Sequence, residues 1–228
     1  MKRGKRVVKY VSFCLGLGIL VLVAFTQVSI TYAEPLDTHE LRMYLRDPRV
    51  QAFLDTIAYS EGTLHNDGYN TQFGHYYFKD FKDHPRQVIC TRYNGNLLCS
   101  SAAGRYQFLQ KTWDEIAPQI KANNFGPLNQ DLGAVALLAK KNVLSAVPAL
   151  SSRKDFARAI YKVNKTWAGL PGAPYGQPKK TMAELEAIYQ KQLTYHKKNQ
   201  TNLNKKYTLK NMKKTPTITS GDYKDLKQ

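Results

Sequence analysis

The chain has 228 residues, enough for one or two domains, and its 43% hydrophobic and 22% charged residues are close to the average for a globular protein. This composition excludes a chain that is disordered throughout and a polytopic membrane protein. The formal net charge of +17 would suit nucleic acid, an anionic lipid surface or an acidic polymer as a partner, and charge alone does not choose among them.

The excess charge lies mainly at the two ends of the chain. Residues 1–33 carry five basic side chains and no acidic one, residues 196–228 carry a net charge of +7, and residues 34–195 carry only +5. The first end has the layout of a secretory signal: a basic start, an apolar run over residues 11–25, and a small-x-small triplet at residues 31–33. We expect either a cleaved signal peptide or an N-terminal membrane anchor, and a periplasmic, secreted or inner-membrane-anchored protein.

Helical signals recur through the middle of the chain, residues 34–195, which we expect to form the folded domain. Asp47 supplies an N-cap, Pro48 suits a first helical turn, and apolar residues then follow at helical spacing up to Gly62. This pattern predicts a helix over residues 47–61. Four further helices are predicted over residues 108–116, over residues 130–143, and from the capping boxes of Ser152 with Asp155 and of Thr181 with Glu184.

The segment between the first two predicted helices, residues 66–103, reads as loops and a small antiparallel sheet. Cys90 and Cys99 flank Asn94-Gly95, a dipeptide that strongly favours a tight hairpin turn. In an oxidising compartment two cysteines facing each other across such a hairpin should form a disulfide, although two free thiols are the alternative. The predicted fold class is therefore α+β, mainly helical.

The last part of the chain loses its apolar periodicity and is rich in Lys, Asn and Thr. Residues 196–228 are therefore predicted to be a basic, disordered tail that contacts anionic lipid or the cell wall. No nucleic-acid motif is present, and the five histidines show no metal-ligand spacing. We expect no metal, no cofactor and no nucleic-acid partner, and a monomeric protein.

Glu61 is the first residue that points to chemistry. It lies one helical turn beyond Ile57 and two beyond Phe53 and Leu54, so it continues the apolar stripe of its helix. A carboxyl group in that position is desolvated, which raises its pKa and suits a general acid. The spacing is equally compatible with a side chain that bends out to solvent at a frayed helix end.

Several motifs in the same order resemble the endolysin family of phage lambda and its relatives, and the resemblance covers about residues 50–193. The motifs are Ser60-Glu61-Gly62-Thr63, Asp83-His84-Pro85-Arg86, Gly104-Arg105-Tyr106-Gln107, Trp167-Ala168-Gly169-Leu170-Pro171-Gly172 and Tyr175-Gly176-Gln177. The resemblance implies a two-lobed, lysozyme-like fold. It also implies that Glu61 is the catalytic acid and base of a lytic transglycosylase, which cleaves the bond between N-acetylmuramic acid and N-acetylglucosamine in peptidoglycan and leaves a 1,6-anhydro sugar.

Two other functions remain open from the sequence. Most glycosidases use a second carboxylate, and Asp67, Asp80 and Asp83 are the residues that could make this chain a hydrolytic lysozyme. Asp83 precedes His84-Pro85 and more readily explains a turn. A catalytically inert protein that binds peptidoglycan glycan strands is the other alternative.

A glycan groove needs aromatic faces for the sugar rings and amide groups for their polar edges. The candidate substrate-binding residues are Tyr106, Gln107, Trp167 and Tyr175, with Asn164 as a further candidate. The Gln107 amide could hold an acetamido or sugar oxygen, in an element that resembles the Gly-x-x-Gln motif of transglycosylases. For Trp167, a place in the core at a helix end explains the sequence equally well.

Overall fold

The structure is a computed structural model that describes residues 37–64, 68–93 and 95–206. The predicted signal segment, Asp67, Asn94 of the hairpin turn and residues 207–228 of the predicted tail lie outside the described residues.

The described part contains six α-helices, three short 3-10 helices and two small antiparallel sheets of two strands each. The elements are α1 (Thr38–Leu45), α2 (Pro48–Ser60), β1 (Thr71–Gln72), β2 (Tyr76–Tyr77), β3 (Ile89–Tyr93), β4 (Asn96–Ser100), α3 (Gln110–Ile116), α4 (Pro127–Lys140), α5 (Arg153–Val163) and α6 (Met182–Lys206). Strand β1 pairs with β2 and β3 pairs with β4. The predicted class, mainly helical α+β, is confirmed, with two sheets where one was expected.

The helices begin where their capping residues predict. Asp47 accepts a hydrogen bond from the backbone N–H of Arg49 at 2.7 Å, and Pro48 occupies the first turn of α2. Ser152 caps α5, and the backbone N–H of Thr181 donates to the Glu184 carboxylate at 2.7 Å, which completes the capping box of α6. Helix α1 was not predicted from the sequence.

Helix α2 is the centre of the core. Val50, Phe53 and Ile57 are fully buried on it, and it packs along α6 while α1 packs against α4. Its burial extends over most of its surface, because small and hydroxyl-bearing residues such as Ala52 and Thr56 let neighbouring elements approach closely. The end of α2 is therefore held inside the protein, where the residue that follows it cannot easily fray into solvent.

The predicted hairpin and its disulfide are both present. Cys90 lies directly opposite Cys99 in the β3–β4 pairing, with 4.0 Å between their Cα atoms, and the two sulfurs are bonded. The bridge closes a short loop, so its expected contribution to the free energy of unfolding is at most about 2–3 kcal/mol.

Helix α6 continues beyond the predicted domain boundary at residue 195. It runs to Lys206, and His196, assigned from the sequence to a disordered tail, is only 4% exposed. The reason is a buried partner: Nε2 of His196 lies 2.8 Å from Oδ2 of Asp55 on α2. Within the described ranges no helix combines the length and the apolar character needed to cross a membrane.

Candidate active site

Glu61 ends helix α2. Its backbone N–H still bonds to the carbonyl of Ile57 at 3.1 Å, but the next residue, Gly62, adopts a left-handed conformation with φ of 74°. The N–H of Thr63 then turns back to the carbonyl of Ala58 at 2.9 Å. This ordered helix terminus fixes the direction in which the Glu61 side chain leaves the helix.

The carboxyl group of Glu61 has the electrostatics of a general acid. Glu61 keeps some solvent exposure, yet protein atoms surround its carboxyl group closely, and this burial raises the pKa to about 7. A hydrogen bond from the backbone N–H of Gly169 opposes the shift in part, because it stabilises the carboxylate. A group with this pKa is populated both as an acid and as a base near neutral pH.

Gly169, which follows Glu61 by 108 residues in the chain, binds the Glu61 carboxyl group. Its N–H lies 3.1 Å from Oε1 of Glu61, and its carbonyl accepts a hydrogen bond from the N–H of Lys180 at 2.9 Å. A Cβ atom added to Gly169 would lie 2.0 Å from the carbonyl oxygen of Ser60. Only glycine allows the loop to approach the end of α2 closely enough for this hydrogen bond.

We therefore expect Gly169→Ala to lower kcat about 10-fold or more. The added methyl group forces the loop away from Ser60, so that Glu61 loses its hydrogen bond and its fixed orientation, and small displacements of a catalytic group are costly. Initial rates of peptidoglycan digestion measure the effect. Gly176→Ala is the matched control, because a Cβ at Gly176 in the same loop meets no atom within 4 Å. Equal rates for the two variants would contradict this role of Gly169.

The turn over residues 103–108 carries Gln107. Gly104 has φ of 77°, and Ala103 and Phe108 exchange backbone hydrogen bonds across the turn. Both amide hydrogens of Gln107 are used within the protein, on the carbonyls of Thr71 at 3.1 Å and Gly104 at 3.0 Å. The amide oxygen of Gln107 is then the part of this side chain that can accept a hydrogen bond from a ligand.

The turn and the acid are joined directly. The hydroxyl of Thr63, two residues after Glu61, lies within hydrogen-bonding distance of the backbone carbonyl of Arg105. The structure thus brings together Glu61, the loop of Gly169 and the turn of Gln107.

Two predicted substrate-binding residues are in the core instead. Tyr106 and Trp167 are each 2% exposed, so neither presents a face to a sugar ring. Nε1 of Trp167 donates to the backbone carbonyl of Tyr106 at 3.1 Å, and the Tyr106 hydroxyl donates to Asp131 at 2.6 Å. The prediction was wrong because large aromatics with satisfied polar atoms fill the core between the turn and the loop. Their hydrogen bond links the turn over residues 103–108 to the loop that contains Gly169.

Tyr175 and Asn164 belong to the Pro- and Gly-rich loop that follows α5. Tyr175 is 44% exposed, and its hydroxyl donates to the carbonyl of Lys165 at 2.8 Å, so its ring remains available to a ligand. Nδ2 of Asn164 donates to the carbonyl of Pro171 at 3.1 Å. Asn164 therefore shapes the loop, while a substrate contact of Tyr175 stays a prediction.

The described candidates for a second carboxylate are engaged in local contacts. Asp83 accepts hydrogen bonds from the backbone N–H of His84 at 2.8 Å and from Nε of Arg86 at 2.7 Å. Burial alone would raise the pKa of Asp83, but these donors outweigh it and lower the pKa. Asp80 accepts a hydrogen bond from the backbone N–H of Lys82 at 2.8 Å. Asp83 fixes its turn, as its sequence context indicated.

The sequence did not predict a buried cluster of ionisable side chains, which Asp55, Arg105 and His196 form. Oδ1 of Asp55 lies 2.7 Å from Nη2 of Arg105, and Oδ2 of Asp55 binds His196. The backbone N–H of Arg105 also donates to the side chain of Gln130 at 2.8 Å. These residues are far apart in the chain, and their surroundings gave no local pattern from which the contacts could be found.

The fold and the site define a lysozyme-like glycosidase, and Glu61 is the acid that the described residues place in its site. Comparison with known proteins agrees: the family model described as Endolysin matches residues 51–195. The chain belongs to the endolysin family, as its motifs predicted.

Individual relatives cover most of the domain. The endolysin of Escherichia phage lambda is 37% identical over 133 residues, which are 56% of this chain and 80% of the phage protein. The endolysin of Escherichia phage P2 is 32% identical over 154 residues, covering 61% of this chain and 90% of the relative. The solved structure of bacteriophage lambda lysozyme in complex with a chitohexasaccharide aligns with a TM-score of 0.57 and 34% identity, over 64% of this chain and 94% of that one.

Proposed function

We propose that this chain is a peptidoglycan lytic transglycosylase that cleaves the bond between N-acetylmuramic acid and N-acetylglucosamine with Glu61 alone. The observation that carries the proposal is the partly accessible Glu61 carboxyl group with a pKa of about 7, held by the N–H of Gly169. The membership of the endolysin family and the likeness to a lysozyme structure that contains a chitohexasaccharide support a glycan strand as the substrate.

The first half of the reaction needs an acid. Protonated Glu61 donates its proton to the glycosidic oxygen as the bond from that oxygen to C1 of the muramic acid breaks. The acetamido group of the same sugar stabilises the positive charge that develops at C1. The raised pKa is what keeps the proton on Glu61 until this step.

The second half needs a base, and the same residue supplies it. The Glu61 carboxylate takes the proton of the C6 hydroxyl, whose oxygen attacks C1 and closes the 1,6-anhydro ring. Glu61 ends the cycle protonated, and no water is consumed. One carboxyl group with a pKa near 7 serves both transfers, so the reaction requires neither Asp80 nor Asp83.

Mass spectrometry of the soluble products from purified sacculi tests the proposal. We expect muropeptides that are lighter than the hydrolytic products by the mass of one water. Products with a reducing muramic acid end would indicate a hydrolytic lysozyme, and the absence of soluble products would indicate an inert glycan-binding protein.

The pH dependence of kcat/KM should follow the protonation of Glu61. Because the acid form is needed for the first step, we expect kcat/KM to decline as the pH rises through about 7, approaching a 10-fold loss per unit above it. Initial rates on sacculi between pH 3.5 and 9 measure this decline. Asp83→Asn should leave its midpoint unchanged, and a midpoint near 4.5 in the wild-type protein would show that Glu61 titrates as an ordinary carboxyl group.

We also propose that the basic C-terminal end binds anionic lipid or the carboxylates of peptidoglycan stem peptides, and so raises the local enzyme concentration. The test is a variant in which the last seven lysines become Gln: Lys205, Lys206, Lys210, Lys213, Lys214, Lys224 and Lys227. This variant leaves His196 in place, whereas truncation after Tyr195 would remove it. The variant should cosediment less with sacculi or anionic vesicles at low salt, and high salt should abolish the difference. Equal binding at every salt concentration would exclude this role.

Export is the remaining part of the proposal. The basic start, apolar run and small-x-small triplet of residues 1–33 support a signal that directs the protein across the inner membrane, and the paired Cys90 and Cys99 suit the oxidising compartment beyond it. Mass spectrometry of the exported protein should give either a chain that starts near residue 34 or an uncleaved anchored chain. Recovery of the full chain only in the cytoplasmic fraction would exclude export.

A further inference from the structure

Among the described residues, five that are not glycine have positive φ angles: His75, Arg86, Gln107, Lys121 and Asn142. Such conformations strain an ordinary side chain, so each needs a structural or functional reason. Lys121 and Asn142 follow helices α3 and α4, where a left-handed residue commonly ends a helix. Arg86 is held by ion pairs with Asp83 and Asp114, each at 2.7 Å.

The two remaining residues lie on segments that contact the chain just after Glu61: His75 faces Gly62, and Gln107 belongs to the turn bonded to Thr63. Gln107 is held in its conformation by hydrogen bonds from its amide group to the backbone, as described above. His75 has φ of 64° and is exposed. A Cβ atom added to Gly62 would lie 3.5 Å from Cε1 of His75, so the imidazole ring lies next to the residue that follows Glu61.

The segment that carries His75 is firmly attached to the turn of Gln107. The N–H of Phe73 donates to the carbonyl of Ala102 at 2.8 Å, and the N–H of Gly104 donates to the carbonyl of Thr71 at 2.8 Å. These backbone bonds fix the segment on both sides of Gln72. The imidazole is therefore presented from a rigid support beside Gly62, and among the described residues no protein group hydrogen-bonds to it.

We propose that His75 is a substrate-binding residue that contacts the sugar unit next to the bond cleaved at Glu61. The imidazole offers a flat face for the apolar side of a pyranose ring and an N–H for a hydroxyl or carbonyl oxygen. Contact with substrate accounts for a strained, exposed side chain in a position that glycine would occupy without strain. This inference rests on the proposed function, because it assigns a further contact to the same site.

Steady-state kinetics of His75→Asn on purified sacculi test the proposal. Asn tolerates the left-handed conformation but lacks the aromatic face, so the backbone is kept while the contact is removed. We expect the half-saturating substrate concentration to rise about 3- to 10-fold with kcat nearly unchanged, which is the effect of losing one hydrogen bond and one ring contact. The melting temperature should stay within about 2–4 °C of wild type.

Two further variants keep the result interpretable. His75→Gly removes both the ring and the strain, and it should show the same kinetic loss even if His75→Asn fails to fold. Lys121→Asn makes a matched exchange at another left-handed residue and should behave as wild type. Wild-type kinetics in His75→Asn or His75→Gly would overturn the proposal, as would an equal loss in Lys121→Asn. Failure of the proposed function is separate, since it would appear as absent anhydro products from the wild-type enzyme.

Discussion

Replacement of Glu61 by Gln should lower the release of anhydro-muropeptides by at least about 100-fold. Gln has nearly the same volume and retains an oxygen that can accept the hydrogen bond from Gly169, but it can neither donate nor take up the catalytic proton. Product release from sacculi at pH 6 measures the loss. Glu115→Gln, at an exposed position on α3, is the matched control and should retain full activity.

The same variant should be more stable than wild type at alkaline pH. The pKa of Glu61 rises from 4.5 to about 7 on folding, so the folded protein binds more protons than the unfolded chain between these values. Wild-type stability therefore falls as the pH rises from 4.5 to 7, and the Glu61→Gln substitution removes this loss. We expect the free energy of unfolding to increase by up to about 3 kcal/mol at pH 8 and not to change below pH 4.5.

For the activity of the same variant, glycan release at the wild-type rate by folded Glu61→Gln protein would exclude Glu61 as the acid.

Much of the fold was predictable because its signals are local. Helix α2 and the caps of α5 and α6 depend on residues within four positions of each other, and the β3–β4 hairpin depends on one turn between two cysteines. Helix α1 has only eight residues and two buried apolar side chains, Leu41 and Leu45, so its periodic signal was too short to recognise. The end of α6 was missed because a buried His196 in a lysine-rich sequence looks like part of a tail.

The site was predictable only in part. Glu61 and Gln107 lie in short motifs, although local spacing alone left open whether Glu61 faces the core or solvent. The hydrogen bond from Gly169 spans 108 residues and the pairing of His196 with Asp55 spans 141. No local pattern encodes such distances. The aromatic residues show the same limit, since composition predicts that Trp167 is buried or binds sugar but not which of the two.

The buried cluster formed by Asp55, Arg105 and His196 couples three separate parts of the chain. Asp55 lies on α2, His196 on α6, and Arg105 in the turn that precedes Gln107. Burial by itself would lower the pKa of Arg105, yet the net shift is upward, because acidic neighbours that include Tyr69 and Asp55 favour the charged form. The guanidinium group also lies 5.2 Å from the centre of the Tyr69 ring. A charge held this way is costly to remove.

Arg105→Leu should therefore destabilise the protein by about 3–5 kcal/mol, because it leaves the buried Asp55 carboxylate without the guanidinium group that now lies 2.7 Å from it. Urea unfolding at pH 7 measures the change. Arg86→Leu is the control. Arg86 forms ion pairs with two carboxylates, but its side chain is 41% exposed, so the substitution should lower the free energy of unfolding by less than about 1 kcal/mol. An equal decrease in the free energy of unfolding for the two variants would show that burial does not decide the strength of these ion pairs.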